Sequence, residues 1–431
     1  MTTIKSDAFL FLTERLPKSS INLSINDWNE INSRFTKEEI KIGLADYIIT
    51  NKVEFPYRDI SYLVVNEKFQ ALKRCNSLDF ITEPDKISVV EKYNDYKYSY
   101  SKHGIFLIDF GHLYNDISNY FQQKNRLSCA SYGFDSPIDI WTNYDLLLKM
   151  NWIFWRMETE TINETNIRGS FRLGSYVATQ FKPHVATTIY DVTKSKTVMD
   201  MSMGWGDRLA GFYTSKAIEY VGCDPNPQTF QVYKDQCISY EEMLGCQNPE
   251  ITENIKEGWW KCSGKKTVTM YNKPAEDIDW SEYENQIDCV FTSPPYFSTE
   301  LYNKGGEKEE DQSWSRYSEY ENWKNGFFFP TLKASYNSLK ETGIMMINIM
   351  DPTINGKRYR SCDEMVDYIT KDLHGNFIGQ VGMRIKQRPK NLDRISLSNH
   401  LSTNFIENVW CFSKQQNYNF ERNPSLESIM E

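Results

Sequence analysis

Several common chemistries lack their raw materials in this sequence. The nine cysteines, from Cys75 to Cys411, are odd in number, scattered and never spaced C-x-x-C, so they supply neither a zinc site nor a disulfide framework. Five dispersed histidines add no ligand set, and no metal is expected. No G-x-x-x-x-G-K-[ST] loop is present to cradle a triphosphate, and no complete G-x-G-x-x-G to seat a dinucleotide. No apolar run reaches the roughly 18 residues that span a bilayer, so no membrane partner is expected. Residues 1–10 lack the basic-then-apolar layout of a secretory leader, and a cytoplasmic location, bacterial or in a host cell, is the expectation. Positive charge is also short: 49 basic against 58 acidic side chains leave a net charge of -9. A chain this acidic cannot hold a polyanion by net charge and needs a local basic face for it.

What is present is globular. At roughly 100–200 residues per domain, a chain of 431 residues allows about two or three domains. The N-terminal part carries helix signals. Thr36-Lys37-Glu38-Glu39 fits a capping box, with Ile40, Leu44, Tyr47 and Ile48 following at helical spacing, and a second helix is expected over 60–74. Residues 93–155 are dense in aromatics, among them Tyr98, Tyr100, Phe106, Tyr120 and Trp141, which read first as core, with base-stacking as the alternative. From about residue 170 short apolar runs alternate with helical stretches. Strands are expected at 197–201, 219–223, 267–271, 288–292, 344–349, 379–385 and 408–413, the last two as a closing antiparallel hairpin. Ligands of such α/β sheets lie beyond the carboxyl ends of the strands.

Two constellations fall at those ends. Asp200-Met201-Ser202-Met203-Gly204-Trp205-Gly206 is a strand running into a glycine turn and a helix, where backbone can approach a ligand closely. The next strand ends in Asp224-Pro225, 24 positions after Asp200, about where a carboxylate accepts hydrogen bonds from ribose hydroxyls. The second constellation, Thr292-Ser293-Pro294-Pro295-Tyr296, follows the strand at 288–292. Two prolines fix the backbone and remove two donors, leaving carbonyls aimed at something that donates. An exocyclic base amine is such a donor. The Ser293 hydroxyl and the Pro294 carbonyl would accept its hydrogens, which draws density onto nitrogen as it attacks an electrophilic methyl, while Tyr296 stacks on a base taken out of the duplex.

Together these motifs resemble the S-adenosylmethionine-dependent methyltransferases that modify exocyclic amines of DNA bases. Asp200, Met201, Gly204, Trp205 and Gly206 would form the cofactor turn, and Ser293, Pro294, Pro295 and Tyr296 the catalytic motif. Serine at the first motif position points to cytosine N4, with adenine N6 as the alternative. The resemblance extends over about 170–415. It implies that 178–186, with Phe181 and Pro183, wraps the methionine end of the cofactor, that Asp224 binds the ribose beside Pro225, and that Glu276 or Asp277 meets the adenine. It also implies an α/β, Rossmann-like methyltransferase sheet over 166–420, preceded by a mainly helical α+β domain over 1–165 and followed by a tail at 421–431. Target recognition then falls to 1–165, the stretch after Tyr296 or the closing hairpin.

The hairpin carries Arg384, Lys386, Arg388, Lys390 and Arg394 against one acid, Asp393, and is the expected contact for the phosphates of double-stranded DNA. Lys357, Arg358 and Arg360 form a second, smaller basic cluster. An RNA amino-methyltransferase and a cofactor-binding subunit without catalysis are the rival readings. Cys289 reads as a core residue, so no covalent enzyme intermediate is expected.

Overall fold

The computed structural model describes residues 6–109, 111–150, 153–156, 158–385 and 403–415. The chain divides into two compact units, one made of 1–60, 123–179 and 300–304, the other of 61–122, 180–299 and 305–431.

The first unit is mainly helical, with helices that include Asp7–Arg15, Ile25–Arg34, Lys37–Asn51 and Glu164–Gly174. The capping box forms as its spacing predicts: Glu39 N–H donates to Thr36 Oγ1 at 3.3 Å and Thr36 N–H to Glu39 Oε2 at 2.7 Å. Apolar residues at helical spacing meet in one core that contains Trp28, Tyr47, Phe55, Trp141 and Phe171. The buried Trp141 ring satisfies its one donor on the Val53 carbonyl at 2.7 Å. A small antiparallel pair joins Ala130–Ser131 to Glu300–Leu301.

The second unit is built on a 12-stranded sheet. Its strands, in chain order, are β1 (Ile81–Thr82), β2 (Val90–Glu91), β3 (Gly104–Ile108), β4 (Thr197–Asp200), β5 (Glu219–Cys223), β6 (Glu250–Asn254), β7 (Trp259–Ser263), β8 (Thr267–Tyr271), β9 (Ile287–Thr292), β10 (Leu339–Asn348), β11 (Asn376–Ile385) and β12 (Phe405–Ser413). The spatial order is β1-β3-β11-β12-β10-β9-β4-β5-β8-β7-β6, with β2 on β12. The stretch β10-β9-β4-β5-β8 is parallel throughout. Its carboxyl ends therefore share one edge. β11 and β12 form the expected antiparallel hairpin, and β12 runs antiparallel to β10. That reversal brings the early residues of β12 to the edge where β10 ends. Helices that flank the central strands include α1 (Pro183–Val192), α2 (Asp207–Thr214) and α3 (Pro227–Met243).

The division corrects the boundary expected at 165. Residues 61–122 belong to the sheet unit, because β3 pairs in parallel with β11 and extends the sheet beyond the hairpin. Residues 166–179 join the helical unit, whose core takes in Ile167 and Phe171. Pairing partners some 275 residues apart leave no local trace, so Gly104-Ile105-Phe106-Leu107-Ile108 reads in sequence only as another apolar run. The expected second helix forms as Tyr62–Arg74, capped by Ser61, and lies in the sheet unit. The expected tail at 421–431 lies outside the described residues.

Candidate active site

The cofactor turn is held by its own first residue. Asp200 ends β4 fully buried, and its carboxylate accepts from Arg208 Nε (2.7 Å) and Nη2 (3.2 Å), the Tyr220 hydroxyl (2.8 Å) and the Ser202 N–H (3.2 Å). Four protein donors make Asp200 a residue that positions the turn. Gly204 and Gly206 both have positive φ, +60° and +71°, which explains glycine at each. Around Gly204 the space where a Cβ would sit is open to 4 Å, whereas at Gly206 that space is filled by the Gln236 amide. Met201 and Trp205 are buried beside them.

Asp224 follows β5 and closes the same turn from the other side. Its Oδ2 accepts from the Gly204 N–H at 3.1 Å and the Tyr233 hydroxyl at 2.9 Å, and its Oδ1 accepts from the Asn226 N–H at 2.9 Å. Burial pushes this carboxyl up to about 6, against the pull of those same donors. Pro225 precedes the Asn226 cap of α3. Beyond β8 the two candidate acids part company. Asp277 is exposed and paired with Arg316 at 2.7 Å. Glu276 is buried; its Oε1 accepts from Tyr317 (3.1 Å) and Arg316 (3.3 Å), while its Oε2 meets no donor among the described residues. Burial raises its pKa. A buried carboxylate oxygen in want of a donor suits an exocyclic amine.

Within the segment 178–186, Gln180 and Phe181 reach the residues that follow the β4 turn. Gln180 donates to Asp207 Oδ1 at 2.9 Å, and the Phe181 ring lies between the Arg208 guanidinium (5.5 Å) and Phe291 of β9 (5.6 Å). Pro183 opens α1 at its first turn, where a missing N–H costs nothing. Phe181 thereby links the β4 turn to the strand that carries the catalytic motif.

Ser293-Pro294-Pro295-Tyr296 leaves the end of β9 beside β4. The Pro295 carbonyl accepts from the Phe297 N–H at 2.9 Å, beside the Pro294 carbonyl and Ser293 hydroxyl that form the expected pair of acceptors. Phe297 (φ +52°) turns the chain inward, into an aromatic cluster with Tyr320, Trp323 and Tyr359. Thr292 is buried, and its hydroxyl meets no partner among the described residues. The Tyr296 hydroxyl donates to Glu407 Oε1 at 2.5 Å and to the Asn348 carbonyl at 3.3 Å. Sequence reasoning missed Glu407 and Asn348. The one available signal was a lone acid inside the apolar run Phe405-Ile406-Glu407-Asn408-Val409-Trp410.

The basic expectations fare differently. Lys386, Arg388, Lys390 and Arg394 lie outside the described residues. Arg384 is an ion-pair partner: it contacts Asp109 Oδ1 at 2.5 Å and Asn404 Oδ1 at 2.9 Å. Arg358 is likewise engaged by Asp351 at 2.8 Å and by Asp95, and Arg360 by Asp95 and by Asp363 at 3.1 Å. Asp109 and Asp95, remote in sequence, thus pair with cations that read along the chain as free. Cys289 is fully buried in β9, and desolvation pushes its thiol up to about 12, which leaves no thiolate to act as nucleophile.

A parallel sheet whose strand β4 enters a glycine turn, whose β5 is followed by an acid and whose β9 is followed by S-P-P-Y brings the expected constellations to one edge. Residues 287–428 match the N6/N4 family described as DNA methylase. That match spans about a third of the chain and takes in β9 with the S-P-P-Y run that follows it, and over it the chain is similar to DNA methylases. No curated protein matches the chain. Similar solved structures include the complex of Trm1 from Pyrococcus horikoshii with S-adenosyl-L-methionine (14% identity, TM-score 0.33, 55% of this chain and 57% of that one). A putative RNA methyltransferase from the same organism follows (13%, TM-score 0.28, 55% and 83%), with a methyltransferase from Geobacter sulfurreducens (8%, TM-score 0.28, 53% and 76%). The chain thus spans less than two thirds of the first of these.

Proposed function

We propose that the protein transfers a methyl group from S-adenosylmethionine to the N4 amine of a cytosine flipped out of double-stranded DNA. The observation that carries this reading is Ser293 at the head of Pro294-Pro295-Tyr296, at the end of the strand adjoining the cofactor turn. The residues present fit the cofactor: open space at Gly204, Asp224 toward the ribose, and the orphan Glu276 oxygen toward an amine of the adenine. When bound, S-adenosylmethionine supplies an electrophilic methyl on a sulfonium. The Ser293 hydroxyl and Pro294 carbonyl accept the two amine hydrogens and hold the nitrogen as it turns tetrahedral, and the Tyr296 ring stacks on the base. As the N–CH3 bond forms, the S–CH3 bond breaks and S-adenosylhomocysteine leaves; the surplus proton on the nitrogen passes to water, and Cys289 takes no covalent part.

Base-resolved sequencing of DNA from cells expressing the protein tests the reading. It should return N4-methylcytosine in a fixed sequence context. N6-methyladenine in its place would overturn the base assignment, and methyl found only in RNA would overturn the DNA assignment. The exposed rings of Tyr132 and Phe134, either side of Gly133 in the helical unit, support a share in target recognition for that unit.

A further inference from the structure

We infer that Glu407 is a positioning residue for methyl transfer, acting through the hydroxyl of Tyr296. The inference rests on the proposed role of Tyr296 as the ring on which the target base stacks, and deepens it.

A stacking ring works only if its plane is fixed before the base arrives. The prolines fix the backbone of Pro294 and Pro295, but the phenol swings about its own side-chain torsions, and stacking alone does not hold it in the empty site. Two strand ends supply the restraint. Asn348, the last residue of β10, offers its carbonyl to the Tyr296 hydroxyl at 3.3 Å, and Glu407 offers Oε1 at 2.5 Å. Glu407 is itself held, since Asn348 Nδ2 donates to the same oxygen at 3.1 Å and to the Asn408 carbonyl at 3.2 Å. The sheet explains why a residue so late in the chain reaches the motif. Ile347 is in register with Thr292 on one side and Trp410 on the other, so Glu407, early in the antiparallel β12, arrives at the carboxyl edge. Lys182, buried at the head of α1, feels the Glu407 charge, which counters the burial that lowers the lysine's pKa. A half-buried carboxylate beside the buried Ile406 and Val409 is costly unless its bonds are used, and its bonds run to Tyr296 and Asn348.

The test is a double-mutant cycle on the full chain, with labelled methyl transfer from S-adenosylmethionine to DNA as readout. E407A should lower kcat by about ten- to a hundred-fold while cofactor affinity stays within about two-fold, and E407Q, which keeps an acceptor, should recover part of the loss. Y296F should cost a similar factor, and adding E407A to Y296F should cost little more. Losses that multiply, or an E407A enzyme as active as its parent, would overturn the inference. A readout independent of turnover is 3-fluorotyrosine at position 296, whose fluorine resonance should shift in E407A; an unmoved resonance would also overturn it. If the parent methylates no DNA, the proposed function fails, while the fluorine shift still decides whether Glu407 holds the ring.

Discussion

Asp200 and Arg208 form a buried, two-pronged ion pair across the cofactor turn, Nε to Oδ2 at 2.7 Å and Nη2 to Oδ1 at 3.2 Å, with side-chain exposures of 0% and 5%. Water reaches neither charge. Removing one partner strands the other, at a cost of about 3–5 kcal/mol. R208M should therefore lower unfolding stability by about that amount and weaken S-adenosylmethionine binding, because residues 201–207 lose the clamp at both ends. Urea unfolding and calorimetric titration check it; an unchanged unfolding midpoint would mean that the pair is not the clamp.

The two turn glycines should fail in different ways. A Cβ on Gly206 would lie 2.5 Å from Gln236 Oε1, and Gln236 is fully buried and bonded by Gln122 at 3.3 Å, so it has no room to yield. A Cβ on Gly204 meets nothing within 4 Å among the described residues. G206A should cost about 1–3 kcal/mol of stability, from backbone strain plus clash. G204A should cost about 1 kcal/mol of backbone strain and lose disproportionately more cofactor affinity, since it fills the space kept for the ligand. Thermal melts with and without S-adenosylmethionine separate the two.

Asp224 gives the site a pH dependence of known sign. Its carboxyl is raised to about 6, so the folded protein holds this proton more tightly than the unfolded chain does. Its contribution to stability is fully present below about pH 3.8 and is lost as pH rises toward about 6. Cofactor binding should run the other way, because ribose hydroxyls donate best to the ionised carboxylate. Affinity for S-adenosylmethionine should rise as pH passes through about 6, and D224N should bind more weakly with a flat profile across that window. A parent profile as flat as that of D224N would remove Asp224 from the ribose site.

What the sequence revealed and what it hid follow from the range of the interactions. Thr36 with Glu39, the Asp200–Gly206 turn and Ser293–Tyr296 are legible because each is specified within a few residues and repeats a fixed chemistry. The strands β4, β5, β8 and β9 stand out for the same reason, as short apolar runs between helical stretches. Glu407 and Asn348 were not legible, because the register of β12 against β10 decides their meeting with Tyr296. Arg384, Arg358 and Arg360 read as a basic face because Asp109 and Asp95 lie more than 250 residues away in sequence. Charge read along a chain counts cations; only the fold shows which are already paired.

Ser293 supplies the last prediction and the sharpest. Its hydroxyl is one of two acceptors proposed for the target amine, the other being the Pro294 carbonyl. S293A removes one acceptor from the developing charge and should lower kcat by about a hundred- to a thousand-fold, by analogy with the loss of one polar group from an oxyanion hole. The cofactor turn is untouched, so S-adenosylmethionine affinity should stay within about two-fold. Replacing Ser293 and Pro294 together by alanine should abolish transfer with the same cofactor affinity, since Pro294 also fixes the direction of its carbonyl. Single-turnover methyl transfer alongside equilibrium cofactor binding distinguishes these outcomes. If turnover survives in the double variant, the amine is held by other groups, and Thr292, buried at the end of β9 with a hydroxyl that meets no partner among the described residues, is the first to examine.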